Sequence, residues 1–269
     1  MSSEQQAVSR TGAVSLEVTD LKVAIGDKEI IHGVTFSLEA GERLGIIGGS
    51  GSGKTITALA IAGLLPTTAR VTGSVRMNGR ELIGLDDHEL ALIRGERIGM
   101  VFQEPKTALS PFRRLGKQMT GALAIHYRLS RSERREAALR LARQVGLKDP
   151  ERMVRAYPHE VSGGQRQRAA IAAAMSASPG LLLADEPTSA LDVTVQRGIL
   201  ELFTEITESD SCSLICITHD IAVVNEVAER VLVFADGRII EQGTVSEILE
   251  APQHEITQAL IAAAGGEAQ

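Results

Sequence analysis

The chain has 269 residues, a length that fits one large domain or a core domain that carries a smaller insert. Hydrophobic residues make up 43% and charged residues 23%, a composition typical of a soluble globular protein with a sizeable core. The net charge of −6 and the scarcity of aromatic residues (no Trp, two Tyr, five Phe) disfavour a nucleic-acid binder, although they leave room for a local basic patch. No run of about 18 apolar residues is present and the polar start is unlike a signal peptide, so we expect a membrane role only through a partner.

The pattern of apolar and polar residues in the N-terminal part of the chain predicts strands before and after one helix. The first two strands alternate apolar and polar residues, as half-exposed antiparallel strands do, and the third is mostly apolar. In chain order we predict strands at Leu16–Val23, Gly33–Leu38 and Arg43–Ile47, a helix at Thr55–Leu65, and strands at Ser74–Met77 and Arg97–Phe102. Residues 1–13 are expected to be a disordered lead-in.

The middle of the chain has no strand signal between Gln103 and Glu160. Its clearest feature is Arg131–Arg143, which has the pattern of a charged amphipathic helix. We therefore predict a helical subdomain at about 104–160, inserted into a domain that spans 14–265.

The last part of the chain alternates helices with buried strands. The predicted elements are a helix at Gln165–Ser178, a strand at Leu181–Ala184, a helix at Val193–Glu208, a strand at Ser213–Thr218, a hairpin turning at Asp236–Gly237 and a helix at Val245–Glu250. This alternation predicts an α/β fold with a mostly parallel sheet covered by helices. Cys212 and Cys216, the two cysteines, are interpreted as core residues because residues four apart on a strand are too distant to form a disulfide.

A glycine-rich loop follows the third strand and matches the phosphate-binding pattern G-x-x-x-x-G-K-[ST]. Glycines let the backbone wrap a phosphate with its N–H groups inward, and the following helix adds its positive N-terminal end. Lys54 can bring a charge to the β- and γ-phosphates, and the Thr55 hydroxyl can bind Mg²⁺. The predicted nucleotide-binding residues here are Gly48, Gly49, Ser50, Gly51, Ser52, Gly53, Lys54 and Thr55.

Two acidic residues end the buried strand at Leu181–Ala184, where ligands gather in open α/β sheets. Asp185 suits the metal ion, directly or through water, and Glu186 suits the polarisation of an attacking water. Taken alone, the pair also fits an acidic strand end that caps the next element. Together with the phosphate loop it predicts a nucleotide-hydrolysing site.

The run Ser162, Gly163, Gly164 and Gln165 lies at a predicted helix start. Ser162 and Gln165 form a capping pattern, which is compatible with an ordinary helix N-terminus. The same N-terminus can hold a second phosphate surface. Ser162 lies only 23 residues before Asp185, too close to place this helix easily over the same chain's phosphate loop. A head-to-tail dimer, in which the run faces a partner's ATP, resolves the geometry.

These motifs resemble those of the ABC ATPases, whose signature is the Ser-Gly-Gly-Gln run. Further marks are Gln103 after a strand, Asp192 in the loop Ser-Ala-Leu-Asp, and His219 in Ile-Thr-His-Asp. The resemblance, which covers about residues 14–260, implies that Gln103 links the metal site to a membrane partner. It implies that Asp192 crosses a dimer interface and that His219 contacts the γ-phosphate. Glu186, His219 and Gln103 are thus the expected catalytic residues, and Thr55, Gln103 and Asp185 the expected Mg²⁺ ligands.

The branch that the sequence resembles is the peptide and nickel importers, through Asp185–Gln196, Arg97–Gln103 and Pro252–Leu260. The resemblance implies an ATPase on the cytoplasmic face of the cell membrane that drives permease subunits. It implies a second, non-identical ATPase and, indirectly, an extracytoplasmic solute-binding protein. The alternatives are a soluble ABC ATPase of repair, translation or cluster assembly, and an exporter ATPase.

Three positions depart from the family pattern. Ile25 stands where an aromatic residue often stacks on adenine, so we expect relaxed discrimination between nucleotides. Gly49 replaces a common acidic residue and Val161 replaces a leucine, and neither change removes a catalytic group. Some relatives carry a cysteine-bearing C-terminal extension that is not seen here, so we expect no metal cluster.

Overall fold

The computed structural model describes residues 12–103, 108–189, 191–207 and 212–266. Most of the predicted lead-in at 1–13 lies outside these ranges. The strands are β1 Leu16–Ile25, β2 Lys28–Leu38, β3 Arg43–Gly48, β4 Ala69–Met77, β5 Arg80–Glu81, β6 Ile98–Val101, β7 Leu181–Asp185, β8 Ser213–Ile217, β9 Arg230–Ala235 and β10 Arg238–Thr244. The helices are α1 Lys54–Ile61, α2 Asp87–Ile93, α3 Leu115–Met119, α4 Gly121–His126, α5 Arg131–Gln144, α6 Pro150–Met153, α7 Gly163–Ala174, α8 Val193–Thr207, α9 Ile221–Val227, α10 Val245–Glu250 and α11 Glu255–Gly266, with a short 3₁₀ turn at Pro158–Glu160.

Two sheets form the framework of the fold. A six-stranded sheet has the order β10-β9-β3-β8-β7-β6, in which only β10 runs antiparallel to its neighbour. A four-stranded antiparallel sheet has the order β2-β1-β4-β5. The predicted α/β class, with a mostly parallel sheet and half-exposed antiparallel strands, is therefore confirmed.

The central strands are buried on both faces of the larger sheet. Leu181 and Leu183 of β7 pack into a core shared with α1 and the antiparallel sheet. Leu182 and Ala184, which point to the other face, pack into a core shared with α3, α5, α7 and α8. This two-sided burial explains why β7 is a continuous apolar run rather than an alternating one.

Several predicted boundaries differ from the observed ones. The first helix ends at Ile61 instead of Leu65, because Ala62 caps it and Gly63 adopts a left-handed conformation (φ +63°). The helix predicted at Gln165–Ser178 begins at Gly163 and ends at Ala174. Helices α2, α9 and α11 were missed because they are short or lack a strong polar–apolar period.

The region predicted as a helical subdomain contains α3 to α6, and its described residues include no strand. Residues 104–107, where the prediction places its start, lie outside the described ranges. Its boundaries stay a prediction. No helix among the described residues combines the length and apolar character needed to cross a membrane.

Both cysteines are buried and free, as predicted. Cys216 lies on β8 and Cys212 directly before it. Burial raises the pKa of each thiol to about 12, so neither is a ready nucleophile at neutral pH.

Candidate active site

The phosphate loop connects β3 to α1 and is held by the hairpin between β9 and β10. Gly48 has a left-handed-region φ of +153°, and a side chain there would collide with the carbonyl oxygen of Phe234. The amide of Gly237, at the hairpin turn, donates to the carbonyl oxygen of Ser52 at 3.0 Å. The loop is thus fixed by backbone contacts on a neighbouring strand pair, which requires glycine at position 48.

Lys54 begins α1 and folds back over the loop. Its Nζ donates to the carbonyl oxygens of Gly48 (2.7 Å) and Gly49 (2.9 Å). Burial lowers the pKa of this ammonium, and the nearby carboxylates of Glu186 and Asp185 partly oppose that effect. The amine is therefore partly desolvated and faces acidic groups at the mouth of the loop.

A hydrogen bond between Thr55 and Asp185 connects the phosphate loop to the end of β7. The Thr55 hydroxyl donates to Oδ1 of Asp185 at 3.1 Å, although the residues are 130 positions apart. Asp185 is 3% exposed, and this burial raises the pKa of its carboxyl above the usual range. The Glu186 charge raises it further, while the Thr55 hydrogen bond and Lys54 lower it.

Glu186 and His219 follow the neighbouring strands β7 and β8. Glu186 has a left-handed backbone (φ +47°), and its amide donates to the Ile217 carbonyl at 2.8 Å. Nδ1 of His219 lies 2.8 Å from Oε1 of Glu186. Because β3, β8 and β7 are adjacent and parallel, their carboxyl ends bring the phosphate loop, both acids and the histidine to one edge of the sheet.

The Ser162–Gln165 run forms a second group, at the N-termini of α7 and α8. Ser162 caps α7, and its side chain and that of Gln165 each accept the other's backbone N–H. Oδ1 of Asp192 accepts the amide of Val195 at the start of α8. A Cβ on Gly164 would lie 2.5 Å from a methyl of Val195, so glycine permits the two helix starts to meet. Among the described residues, no hydrogen bond joins this group to the phosphate loop.

Two predicted residues stand apart from these contacts. Gln103 is exposed just after β6, the strand next to β7, and makes no hydrogen bond to another described residue. The structure therefore does not join it to Thr55 or Asp185. Ile25 is half-buried at the end of β1, paired with Lys28 on β2 and Ala69 on β4.

Gln167 is a site-supporting residue that the motifs did not single out. It is 1% exposed, and its Nε2 donates to the Pro187 carbonyl at 2.7 Å. The contact ties α7 to the segment directly after Glu186. Its only sequence signal is a polar residue on the buried face of a helix otherwise rich in alanine.

Comparison with known proteins shows the family of the chain. The family described as ABC transporter matches residues 31–189, more than half of the chain. The chain belongs to the ABC transporter family. It is an ATP-binding subunit of that family and an ATPase.

Its relatives include a probable peptide ABC transporter ATP-binding protein of Sinorhizobium fredii, 46% identical over 91% of this chain and 75% of the relative. The oligopeptide transport ATP-binding protein OppD of Bacillus subtilis is 45% identical over 92% of this chain and 71% of the relative. OppD of Escherichia coli is 44% identical over 89% of this chain and 72% of the relative. A solved dimeric ATP-binding cassette in a post-hydrolysis state, bound to ADP and Pi, superposes with a TM-score of 0.76 at 32% identity, covering 86% of this chain and 98% of that one.

Proposed function

We propose that this ABC ATPase powers the import of peptides, or of nickel or a related small solute, through a membrane permease. The observation that carries this proposal is the 46% identity, over 91% of the chain, to a protein named as a peptide transporter subunit. OppD proteins of two further bacteria give the same indication. An uptake assay tests it: cells that carry Glu186→Gln as their only copy should lose uptake of a labelled peptide, and unchanged uptake of peptides and nickel would contradict the proposal.

Mg²⁺ fits the donors at the mouth of the phosphate loop. The Thr55 hydroxyl and the Asp185 carboxylate are oxygen ligands, and they already lie 3.1 Å apart. Among the described residues, no three or more His, Cys, Asp or Glu side chains are arranged so that they could hold a metal ion by themselves, so the ion would share its coordination with nucleotide and water. When bound, Mg²⁺ neutralises charge on the β- and γ-phosphates.

The residues around that position divide the remaining work. Lys54 exchanges the carbonyl oxygens of Gly48 and Gly49 for phosphate oxygens, helped by the N-terminus of α1. Glu186 orients and polarises the attacking water, and His219 fixes the Glu186 carboxylate through Nδ1. Because Asp185 and Glu186 are consecutive, the metal position and the water position share one strand end.

Two cassettes then complete each ATP site. We place ATP between Gly48–Thr55 of one chain and Ser162–Gln165 of another, with Asp192 near the contact. The second group lies on α7 and α8, away from the hydrogen bonds of the phosphate loop, which supports a site completed by a partner. The related cassette named above is described as dimeric.

The partners follow from the importer assignment. They are integral-membrane permease subunits, contacted through the Gln103 region at the cytoplasmic face, a second and non-identical ATPase, and indirectly a solute-binding protein. Copurification from detergent-solubilised membranes followed by mass spectrometry tests this set. Recovery of this chain as the only ATPase on its permease, at two copies, would contradict the heteromeric pair.

A further inference from the structure

The helical region from just before α3 to just after α6 carries a charge opposite to that of the whole chain. Residues 113–155 contain twelve Lys and Arg against four Asp and Glu, a net charge of +8 in a chain whose net charge is −6. Such segregation is not required for folding, because exposed like charges repel each other. It indicates a surface that meets an anion.

A groove of about 560 Å³ lies within this region, between α3, α5 and the segment after α6. We call it the basic groove. Its volume falls within the range of small-ligand sites, about 300–1,000 Å³. Six basic side chains line it: Arg114, Lys117, Arg131, Arg134, Arg135 and Arg155. None of its lining residues belongs to the candidate active site.

Only part of this charge is neutralised within the protein. Glu151 pairs with Arg135 (2.9 Å) and lies 3.8 Å from Arg155. Among the described residues, no ion pair involves the other four basic residues of the groove. Glu133, an acid in the first turn of α5, accepts a hydrogen bond from the Ser130 amide in the N-terminal cap of that helix. Four cations therefore surround one depression without an ion-pair partner in the described part of the chain.

The floor of the basic groove is held in place by hydrogen bonds. Thr120 is 1% exposed, and its hydroxyl donates to the Gly116 carbonyl at 2.8 Å and accepts from Nε of Arg134 at 3.3 Å. The first amides of α3, at Leu115 and Gly116, donate to carbonyls of the segment that carries Arg155. Arg134 is thus oriented before any ligand binds, which lowers the cost of binding.

We propose that the basic groove binds a phosphate group, either that of an anionic lipid headgroup or that of a soluble phosphate compound. Guanidinium groups match phosphate oxygens in geometry as well as charge, and three of the four unpaired cations are arginines. The groove volume of about 560 Å³ suits a compact phosphate group better than an extended nucleic-acid strand. This site does not depend on the assigned transport substrate.

The test compares two triple variants of the full chain. Arg114→Gln/Lys117→Gln/Arg131→Gln removes three unpaired charges from the groove. Arg140→Gln/Arg143→Gln/Lys148→Gln removes three exposed charges from the same region but outside the groove. Saturating ADP occupies the phosphate loop of each protein. Each protein is then mixed with four probes: neutral phosphatidylcholine vesicles, vesicles that also contain phosphatidylglycerol, inorganic pyrophosphate, and a single-stranded oligonucleotide.

The affinity of the groove variant for the anionic probe should be lower than that of the wild type by a factor of about ten or more. The affinity of the control variant should stay within about twofold of the wild-type value. Wild-type binding to the phosphatidylglycerol vesicles but not to pyrophosphate identifies a lipid headgroup, and binding to pyrophosphate identifies a soluble phosphate. Equal losses in both variants, binding to a single-stranded oligonucleotide alone, or binding to no phosphate probe would overturn the proposal. Thermal unfolding checks the fold of each variant, and Lys117→Gln alone, at an exposed position, replaces the triple variant if that does not fold.

Discussion

The imidazole of His219 lies against the carboxylate of Glu186, with Nδ1 2.8 Å from Oε1. A carboxylate only accepts hydrogen bonds, so Nδ1 is the donor and the tautomer of a neutral ring is fixed. The His219 side chain is 63% exposed and that of Glu186 only 11%. One exposed ring thus orients one nearly buried acid, in the position where both are expected to act on ATP.

The role proposed for Glu186 predicts that Glu186→Gln separates binding from hydrolysis. The amide keeps the shape of the side chain but cannot accept a proton, so hydrolysis should fall by about 10²–10⁴. ATP affinity should stay close to that of wild type, because Lys54, Thr55 and Asp185 are unchanged. Lys54→Ala is the contrasting variant and should lose affinity. Nucleotide-binding and phosphate-release assays measure both, and wild-type turnover by Glu186→Gln would refute the role.

The contact between His219 and Glu186 predicts a coupled effect. A hydrogen bond to a charged group contributes about 1.5–3 kcal/mol, so His219→Ala should slow hydrolysis about ten- to hundredfold. In the Glu186→Gln background the same change should cost much less, because the carboxylate it orients is gone. His88→Ala, at an exposed position on α2, is the control. Additive losses in the double variant would show that His219 acts independently of Glu186.

The burial of Asp185 predicts a conflict between stability and function. Its pKa is raised in the folded protein, so the ionised carboxylate destabilises the fold at neutral pH. Asp185→Asn should therefore raise the unfolding temperature of the ligand-free protein at neutral pH. This advantage should shrink as pH falls through the raised pKa and vanish below about 3.9, where the unfolded carboxyl is also protonated.

The same variant should lose the stabilisation that Mg²⁺ and ATP give to wild type. Thermal unfolding across pH, with and without Mg²⁺ and ATP, measures both effects. An Asp185→Asn protein that is less stable than wild type at neutral pH and equally stabilised by Mg²⁺ and ATP would contradict both.

Gln167 is expected to support the site through the backbone. Gln167→Ala leaves the Pro187 carbonyl without its donor in a buried position, so the free energy of unfolding should fall by about 1–3 kcal/mol. Gln144→Ala, at an exposed helix end, should change it little. Denaturant unfolding measures the free energy of unfolding of both variants and of the wild type. If Gln167→Ala is as stable as the wild type, the Gln167 contact is not important for the fold.

The absence of an aromatic side chain at Ile25 predicts weak discrimination between nucleotides. Stacking of an aromatic ring on a base contributes about 1–3 kcal/mol in single-strand binders. Ile25→Tyr should therefore strengthen ATP binding and make GTP a weaker competitor of ATP. Ile25→Val serves as the control, since it adds no ring. A competition assay with both nucleotides measures the effect. Unchanged preference in Ile25→Tyr would mean that position 25 does not contact the base.

The sequence by itself determined the features that depend on local order. The Gly48–Thr55 pattern, the acids that end an apolar strand and the Ser162 cap each lie within a few consecutive residues, where spacing and residue type suffice. The cores of the main strands and the buried state of both cysteines follow from the same apolar runs.

Tertiary structure alone decided the relationships between distant segments. The order of β3, β8 and β7 places Thr55 beside Asp185 and His219 beside Glu186, and no local pattern specifies that order. Gln167 looks like one polar residue of an ordinary helix until α7 packs against the segment after Glu186. The basic groove likewise forms only when α3, α5 and the segment after α6 meet. The physical reason is that helix and strand patterns fix which face of an element is buried, whereas the contact each buried face makes depends on how the whole chain packs.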